Sequence, residues 1–320
     1  MADGDGSGDG DGGSGSGGGE QAFLEHRDLL MGVAYRVLGR VADAEDVVQE
    51  AWLRWSKADA AAVADPKGYL ITVTTRLAID RLRRAQARRE SYVGEWLPDP
   101  VLTVPDAAAP VLRAESVSLG LLVVLESLSP LERAVFVLRE VFEFSYAEVA
   151  AVLDRNEPAV RQLAARARAH VRERRPRFEV DPVVWREVTD RFIGACLNGS
   201  VEELMGVLAP GVRLIADSGG NAVAPRRAIT GPEQVARFVL SIMQLKRSFT
   251  DSAGVDPDAR IEYRIVDANG GPALQVTADG RPFVHFQLQV EDGRVGACHL
   301  IVNPEKFGAV MSQDGSALRP

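Results

Sequence analysis

The hydrophobic periodicity of this chain changes near Pro176, and that change limits what it can fold into. Before it, apolar residues recur every three or four positions. Well beyond it they alternate with polar ones in IEYRIVD, ALQVTAD, FVHFQLQV and VGACHLIV, with Asn-Gly or Asp-Gly pairs between the runs. The first pattern buries a stripe of a helix and the second a face of a sheet, and the dipeptides are hairpin turns. Helices first and a meandering antiparallel sheet afterwards predict helical domains followed by a separate α+β domain. A length of 320 residues leaves room for two or three domains.

Helix boundaries are written in the local sequence. FLEHRDLLMGVAYRVLG places Phe23, Leu30, Ala34, Val37 and Leu38 on one face, and Gly39 is a C-terminal cap. DAEDVVQEAWLRWSK begins with Asp43 as an expected N-cap, and Pro66 opens one long helix, apolar in its first half and arginine-rich in its second. Ala114 to Leu128 is apolar at helical spacing. Ser129-Pro130-Leu131-Glu132 and Ser145-Tyr146-Ala147-Glu148 are capping boxes, and Asn156 is placed to cap AVRQLAARARAHVRER. Short helix, tight turn and basic helix form a helix-turn-helix pattern. Pro182 to Leu197, Val201 to Leu208 and Pro232 to Met243 predict further helices, and VRLIAD from Val212 a strand.

The net charge of −8 argues against nucleic-acid binding only for an even charge distribution, and arginine here is clustered. One island holds Arg76, Arg81, Arg83, Arg84, Arg88 and Arg89 against Asp80 and Glu90; the other runs from Arg155 to Arg177. In the second, Arg161, Gln162 and Arg166 occupy the early exposed face of the basic helix, where major-groove readers sit. Arg168 extends the basic stripe, and Asn156 and Glu157 lie at the helix start. The plain alternative is a surface helix with solvated arginines. Ahead of the first island, Asp43, Glu45, Asp46, Gln49 and Glu50 form an acidic face with Trp52 and Trp55 nearby, suited to a protein partner.

The remaining composition excludes several classes. No apolar run approaches the roughly 20 residues a membrane helix needs, and the Gly/Ser/Asp-rich start lacks the features of a signal peptide, so a cytoplasmic protein without membrane contact is expected. Residues 1–19 read as a disordered acidic tail. Cys196 and Cys298 have no metal-type spacing and are expected as buried thiols, and neither metal nor cofactor is called for.

The segment YVGEWLPDP, Tyr92 to Pro100, is an unusual linker. Tyr92, Trp96 and Leu97 supply apolar area to bury, while Pro98 and Pro100 reduce the entropy lost on ordering. Docking of Trp96 against the third domain is predicted.

Taken together, YRVLG…DAEDVVQEAWLRW, PKGYLITVTTRLAIDRLRR and LSPLERAVFVLREVFEFSYAEVAAVLDRNEPAVRQLAARARAHVRE resemble regions two and four of extracytoplasmic-function sigma factors, over about Phe23 to Arg175. The resemblance implies core RNA polymerase as partner, through its β′ clamp helices and β flap, and promoter DNA. It assigns clamp docking to Asp43, Glu45, Asp46, Gln49, Glu50 and Trp52. It assigns minus-ten opening and reading to Arg76, Asp80, Arg81, Arg83 and Arg84, and minus-thirty-five reading to Arg161, Gln162, Ala165 and Arg166, with Asn156 and Arg168 beside them. WLPDP and NPEKF (Asn303 to Phe307) are similar to motifs of the sigma-J type, whose C-terminal extension is a SnoaL-like cone. A third motif, DGGGK-like, stands here as DSGGN, with Asn221 in place of its lysine.

The implied architecture is multidomain: two all-α sigma domains, at 20–91 and 114–177, joined by a linker at 92–113, then an α+β SnoaL/NTF2-like domain at 182–310 and a flexible tail at 311–320. Regulatory contacts between domains are expected at Trp96, Leu97, Pro98, Asp217, Gly219, Gly220, Asn221, Asn303, Pro304 and Lys306. In the cone pocket Asp217, His285 and His299 are candidates for acid-base work or a small ligand, against the plainer reading of histidines bonded within the sheet. A stand-alone ligand-sensing helix-turn-helix regulator and a SnoaL-like isomerase or hydrolase are the competing functions.

Overall fold

The structure, a computed structural model, describes residues 14–89, 92–103, 118–174, 181–220, 224–243, 250–251 and 253–308. Asn221 and the tail at 311–320 lie outside the described residues.

Three helices form the first body: α1 (Ser14–Leu38), α2 (Val41–Trp55) and α3 (Pro66–Arg89). Helix α1 begins inside the stretch read from composition as a tail. Its glycines are poor helix formers, but Trp55 Nε1 donates to the Gly19 carbonyl at 2.6 Å and ties this turn to α2. Gly39 ends α1 at φ 73°, the left-handed conformation a glycine cap supplies. Asp65 accepts from the Gly68 amide at 3.0 Å and starts α3 ahead of Pro66.

The second body holds α4 (Leu119–Leu125), α5 (Pro130–Phe136), α6 (Tyr146–Leu153) and α7 (Glu157–Arg174). Both capping boxes form, at Ser129/Glu132 and Ser145/Glu148, and Asn156 Oδ1 accepts from the Ala159 amide at 2.9 Å. After α5 the chain widens into a π-helical turn, Val137–Val141, instead of continuing as one regular helix. The two helical bodies share one apolar core, in which Leu30, Val47, Leu70, Leu122, Phe136 and Val160 are all buried.

In the third body α8 (Pro182–Asn198), α9 (Val201–Val207) and α10 (Pro232–Met243) pack on a six-stranded sheet. Its strands are β1 (Leu208–Asp217), β2 (Ile229–Thr230), β3 (Ile261–Ala268), β4 (Gly271–Ala278), β5 (Arg281–Glu291) and β6 (Arg294–Ile301), in the order β2-β1-β6-β5-β4-β3. The meander holds from β3 to β6, with positive φ at both residues of Asn269-Gly270, Asp279-Gly280 and Asp292-Gly293. The sheet is nevertheless mixed, because β1 joins β6 in parallel. That pairing brings together segments some eighty positions apart, which no local turn signal announces.

Alternation gives the sheet two unlike faces. Leu214, Leu274, Phe286, Leu288, Cys298 and Leu300 point to the helices, where Phe192 stacks on Phe286 at 5.7 Å. The register sets the opposite face out in rows. Asp217, Ile301, His285 and Gln275 form one row, and Ile215, His299, Gln287 and Ala273 the next. Ile301, Ala273 and Ile215 of this face pack with Leu97 of the linker and Leu119 of α4.

Candidate nucleic-acid interface and linker seam

On α2 the acidic side chains divide. Glu45, Asp46, Gln49 and Glu50 are exposed, together with Leu53, whereas Asp43 is half-buried. Asp43 does not cap α2: its carboxylate lies 2.8 Å from Arg81 of α3, whose guanidinium also reaches Asp46 at 2.6 Å. Trp52 turns toward α1, its ring 4.9 Å from that of Phe23. Sequence reasoning thus split into two sites residues that the structure joins, since Arg81 is engaged by the acidic helix.

Along α3, Arg76, Asp80, Arg83 and Arg84 are exposed, and Arg83 pairs with Asp80 at 3.1 Å. Arg76 Nε donates to the Val152 carbonyl of α6 at 2.9 Å, across the two helical bodies. On α7, Arg161, Gln162, Ala165 and Arg166 are all exposed on one face, while Val160, Ala164, Ala167 and Val171 are buried. Arg166 lies 3.0 Å from Glu132, Arg168 2.9 Å from Glu140, and Arg161 2.8 Å from Glu157. Asn156 is spent on the cap of α7.

The linker runs between the first body and the sheet, and both grip it. Trp96 lies over Gly39 at the end of α1 and stacks on Lys306, whose Nζ is 4.0 Å from the indole centroid. Lys306 Nζ sits 2.6 Å from Asp217 Oδ2 and also donates to the Leu97 carbonyl; Leu97 returns its amide to Asp217 Oδ2 at 2.7 Å. The Tyr92 hydroxyl donates to Asp217 Oδ1 at 2.5 Å and accepts from Asn303 Nδ2 at 2.8 Å. Burial and the Asp217 carboxylate push the Tyr92 phenol above the usual tyrosine range.

The glycines of DSGG serve close approach. A Cβ on Gly219 would lie 2.7 Å from Asn303 Nδ2, and one on Gly220 3.3 Å from the Val93 side chain. Asn303 caps the short turn Pro304–Lys306 that carries the lysine, with Pro304 in its first position. Lys306 and Asp217 are nearly inaccessible, at 2% and 0% of side-chain exposure, so this is a fully desolvated pair.

Asp99, within the WLPDP motif, supplies the cap that no residue next to α2 provides. Its Oδ2 accepts the Val41 amide at 3.0 Å, one of the orphan donors of the helix start, and burial pushes its pKa up to about 6. Its amide goes to the Gly39 carbonyl at 2.8 Å, and its carbonyl accepts from Tyr35 at 2.9 Å. Asn269, read as a turn residue only, accepts the Val101 amide at 3.0 Å and donates to the Tyr35 hydroxyl at 3.0 Å. Arg133 of α5 is fully buried, donates to the Arg36 carbonyl at 3.0 Å and pairs with Glu126, beside Gly39 and Trp96. No periodicity signals a buried arginine.

The expected pocket histidines face away from the cone. An apolar cavity of about 30 Å³ lies between the helices and the sheet, lined by Phe192, Ile193, Cys196, Val239, Leu274 and Phe286. Asp217, His285 and His299 stand on the opposite face, because each alternates with cavity-side or core residues along its strand. Burial holds the imidazoles of His285 and His299 down to about 4, with the Gln287 side chain beside His285. Cys196 and Cys298 are buried as expected, Cys196 with its thiol pushed up to about 12.

Comparison with known proteins bears on both halves. Residues 22–88 match the Sigma-70 region 2 model and residues 118–171 the Sigma-70 region 4 model. The ECF RNA polymerase sigma factor SigJ of Mycobacterium tuberculosis is 40% identical over 294 residues, covering 88% of this chain and 90% of that protein. The chain belongs to the ECF RNA polymerase sigma factors.

This sigma factor is also 32% identical to the probable ECF sigma factor SigI of the same species, over 92% of its own length and 96% of the relative's. The crystal structure of M. tuberculosis SigJ superposes with a TM-score of 0.72 at 38% identity, covering 91% of this chain and 98% of that one. The match takes in the α+β domain as well as the helical regions. The function of this sigma factor is promoter recognition and transcription initiation with RNA polymerase, within a family of initiation factors and not of enzymes. A stand-alone regulator and a SnoaL-like enzyme are not favoured. No described helix is long and apolar enough to cross a membrane.

Proposed function

We propose that the chain alternates between the closed arrangement seen here and an open one bound to core polymerase, with the α+β domain holding it closed. One contact carries the proposal: Arg76 Nε on the Val152 carbonyl, which joins the minus-ten helix α3 to the helix-turn-helix. The names of the two promoter elements place them about 25 base pairs apart, or about 85 Å of duplex at 3.4 Å per base pair. Helices in mutual contact do not reach both at once. The bodies must separate, and the linker held by Asp217, Asn303 and Lys306 is what separation has to release. A shift of this kind needs only a few kcal/mol of differential affinity.

In this reading, Glu45, Asp46, Gln49 and Glu50 dock on the β′ clamp helices, Asp43 and Arg81 brace α2 on α3, and Trp52 sets the helix by packing on Phe23. Region four meets the β flap. Arg76, Asp80, Arg83 and Arg84 work at the minus-ten element, and Arg161, Gln162, Ala165 and Arg166 at the minus-thirty-five. The protein acts in the cytoplasm, where polymerase and promoter are. The cone cavity suits only a small apolar molecule, and we assign no catalytic step to it.

Transcription by reconstituted holoenzyme, on a promoter that the holoenzyme itself selects, tests the proposal. Asn303→Ala and truncation after residue 180 should both change the yield at a fixed core concentration. Unchanged yield from both variants would rule out the extension as a regulator. Failure of the full chain to retain core polymerase in a pull-down would instead overturn the polymerase-dependent reading itself.

A further inference from the structure

We propose that Tyr146 is a positioning residue for minus-thirty-five reading, which holds Arg161 and Arg168 of α7 in place before DNA arrives. The inference rests on the reading of α7 as the recognition helix. Tyr146 is the first residue of α6, directly after Ser145, whose capping box with Glu148 fixes the backbone at that point. Three guanidinium groups converge on its side chain. Arg161 lies 4.4 Å and Arg139 4.8 Å from the ring centroid, and Arg168 Nη1 donates to the hydroxyl at 3.1 Å. Both ring distances are within the roughly 6 Å over which a cation is attracted to an aromatic face.

Arg161 and Arg168 are two turns apart on α7 and therefore share a face. A single phenol thus braces two arginines of the basic stripe, one near the start of α7 and one two turns on. Each arginine also has a carboxylate anchor, Glu157 for Arg161 and Glu140 for Arg168. The phenol and the carboxylate together fix a direction, where either alone leaves the long side chain free to swing. An arginine already oriented loses less rotamer freedom when it forms a bidentate contact, so the gain appears in DNA binding and not in folding. The Arg168 hydrogen bond also holds the phenol below the usual tyrosine range, as a hydroxyl surrounded by cations should be.

The test binds wild-type and variant holoenzymes to DNA randomised across the minus-thirty-five element, upstream of a fixed minus-ten element, and sequences the retained fraction. Tyr146→Leu keeps apolar volume and removes the ring. It should flatten enrichment at the positions that depend on Arg161 by about twofold to fivefold, the equivalent of one exposed cation–π contact. Tyr146→Phe keeps the ring and loses the hydroxyl, so it should preserve discrimination while lowering affinity evenly and reducing the salt slope by about one unit at most. In an Arg161→Ala background, Tyr146→Leu should bring no further loss at those positions.

Tyr146→Leu with unchanged discrimination, while Arg161→Ala abolishes it, would overturn the role of Tyr146 alone. Arg161→Ala with unchanged discrimination would overturn the reading of α7 and this role with it. Should Tyr146→Leu melt early, Tyr146→Phe decides: a flattened profile from Phe overturns the ring's part, and a preserved one supports it.

Discussion

Lys306 and Asp217 form a buried ion pair, Nζ to Oδ2 at 2.6 Å, and the Leu97 backbone is bonded to both members. A lysine from the end of the sheet domain and an aspartate from β1 thereby enclose one residue of the linker between the sigma regions. Such a pair is stable only while each charge keeps its partner.

Lys306→Met should therefore leave Asp217 buried and unpaired, at a cost of about 3–5 kcal/mol to the closed state. Hydrogen exchange at the Leu97 amide reads this directly, because that amide donates to Asp217. Adding Asp217→Asn should restore part of the loss; equal exchange in the single and double variants would argue against coupling.

Gly39 combines φ 73° with an indole that leaves no room for a side chain, since a Cβ there would lie 2.9 Å from Trp96 Cη2. Gly39→Ala should destabilise the chain by more than about 1 kcal/mol, the usual cost of a left-handed alanine. Trp96→Ala should relieve only the steric share, so a double-mutant cycle in urea should give a nonzero coupling.

Stability should fall as pH drops from about 6.5 toward 4. His285 and His299 have folded pKa values near 4, so over that window the unfolded chain binds more protons and unfolding is favoured. Asp99, raised to about 6, works in the opposite direction between about 4 and 6, contributing stability that is present in acid and lost as pH rises. Two histidines against one carboxylate leave a net loss on the order of a few kcal/mol at pH 4 relative to pH 7. Urea midpoints across this range should show it, and His285→Gln with His299→Gln should abolish the acid loss and leave the opposite slope of Asp99.

Arg81 is held by Asp43 and Asp46 at 2.8 Å and 2.6 Å. Arg81→Met should cost up to about 1 kcal/mol, as partly exposed pairs do, and weaken retention of core polymerase by loosening α2. Minus-ten base preference should stay the same; an altered preference would place Arg81 on DNA.

What was legible in the sequence follows the range over which each signal acts. Ser129, Ser145 and Asn156 cap helices three residues away, and the Asn-Gly and Asp-Gly turns fix hairpins within the same span, so these elements stand where local chemistry placed them. The cap of α2 is different, because Asp99 is 58 positions from Val41, and a nearby carboxylate, Asp43, looked sufficient. The same holds for β1 beside β6 and for Arg133 at the foot of α1. Alternation disclosed that His285 and His299 share a face, but which face meets the helices depends on how the whole sheet packs. For the expected site residues of the linker, motif similarity indicated that they belong together without indicating the ion pair that joins them.

In the linker, the backbone amides of Leu97, Asp99, Val101 and Thr103 are each bonded, to Asp217, Gly39, Asn269 and Asp267 in turn. Pro98 and Pro100, which have no amide hydrogen to offer, fall in the gaps of this two-residue beat. Deleting Leu97 would bring Pro98 and Pro100 to two positions where a donor is required. Between Leu97 and Thr103 the tether is thus a ruler graduated in steps of two, and a change of length there keeps its donors in register only by whole graduations.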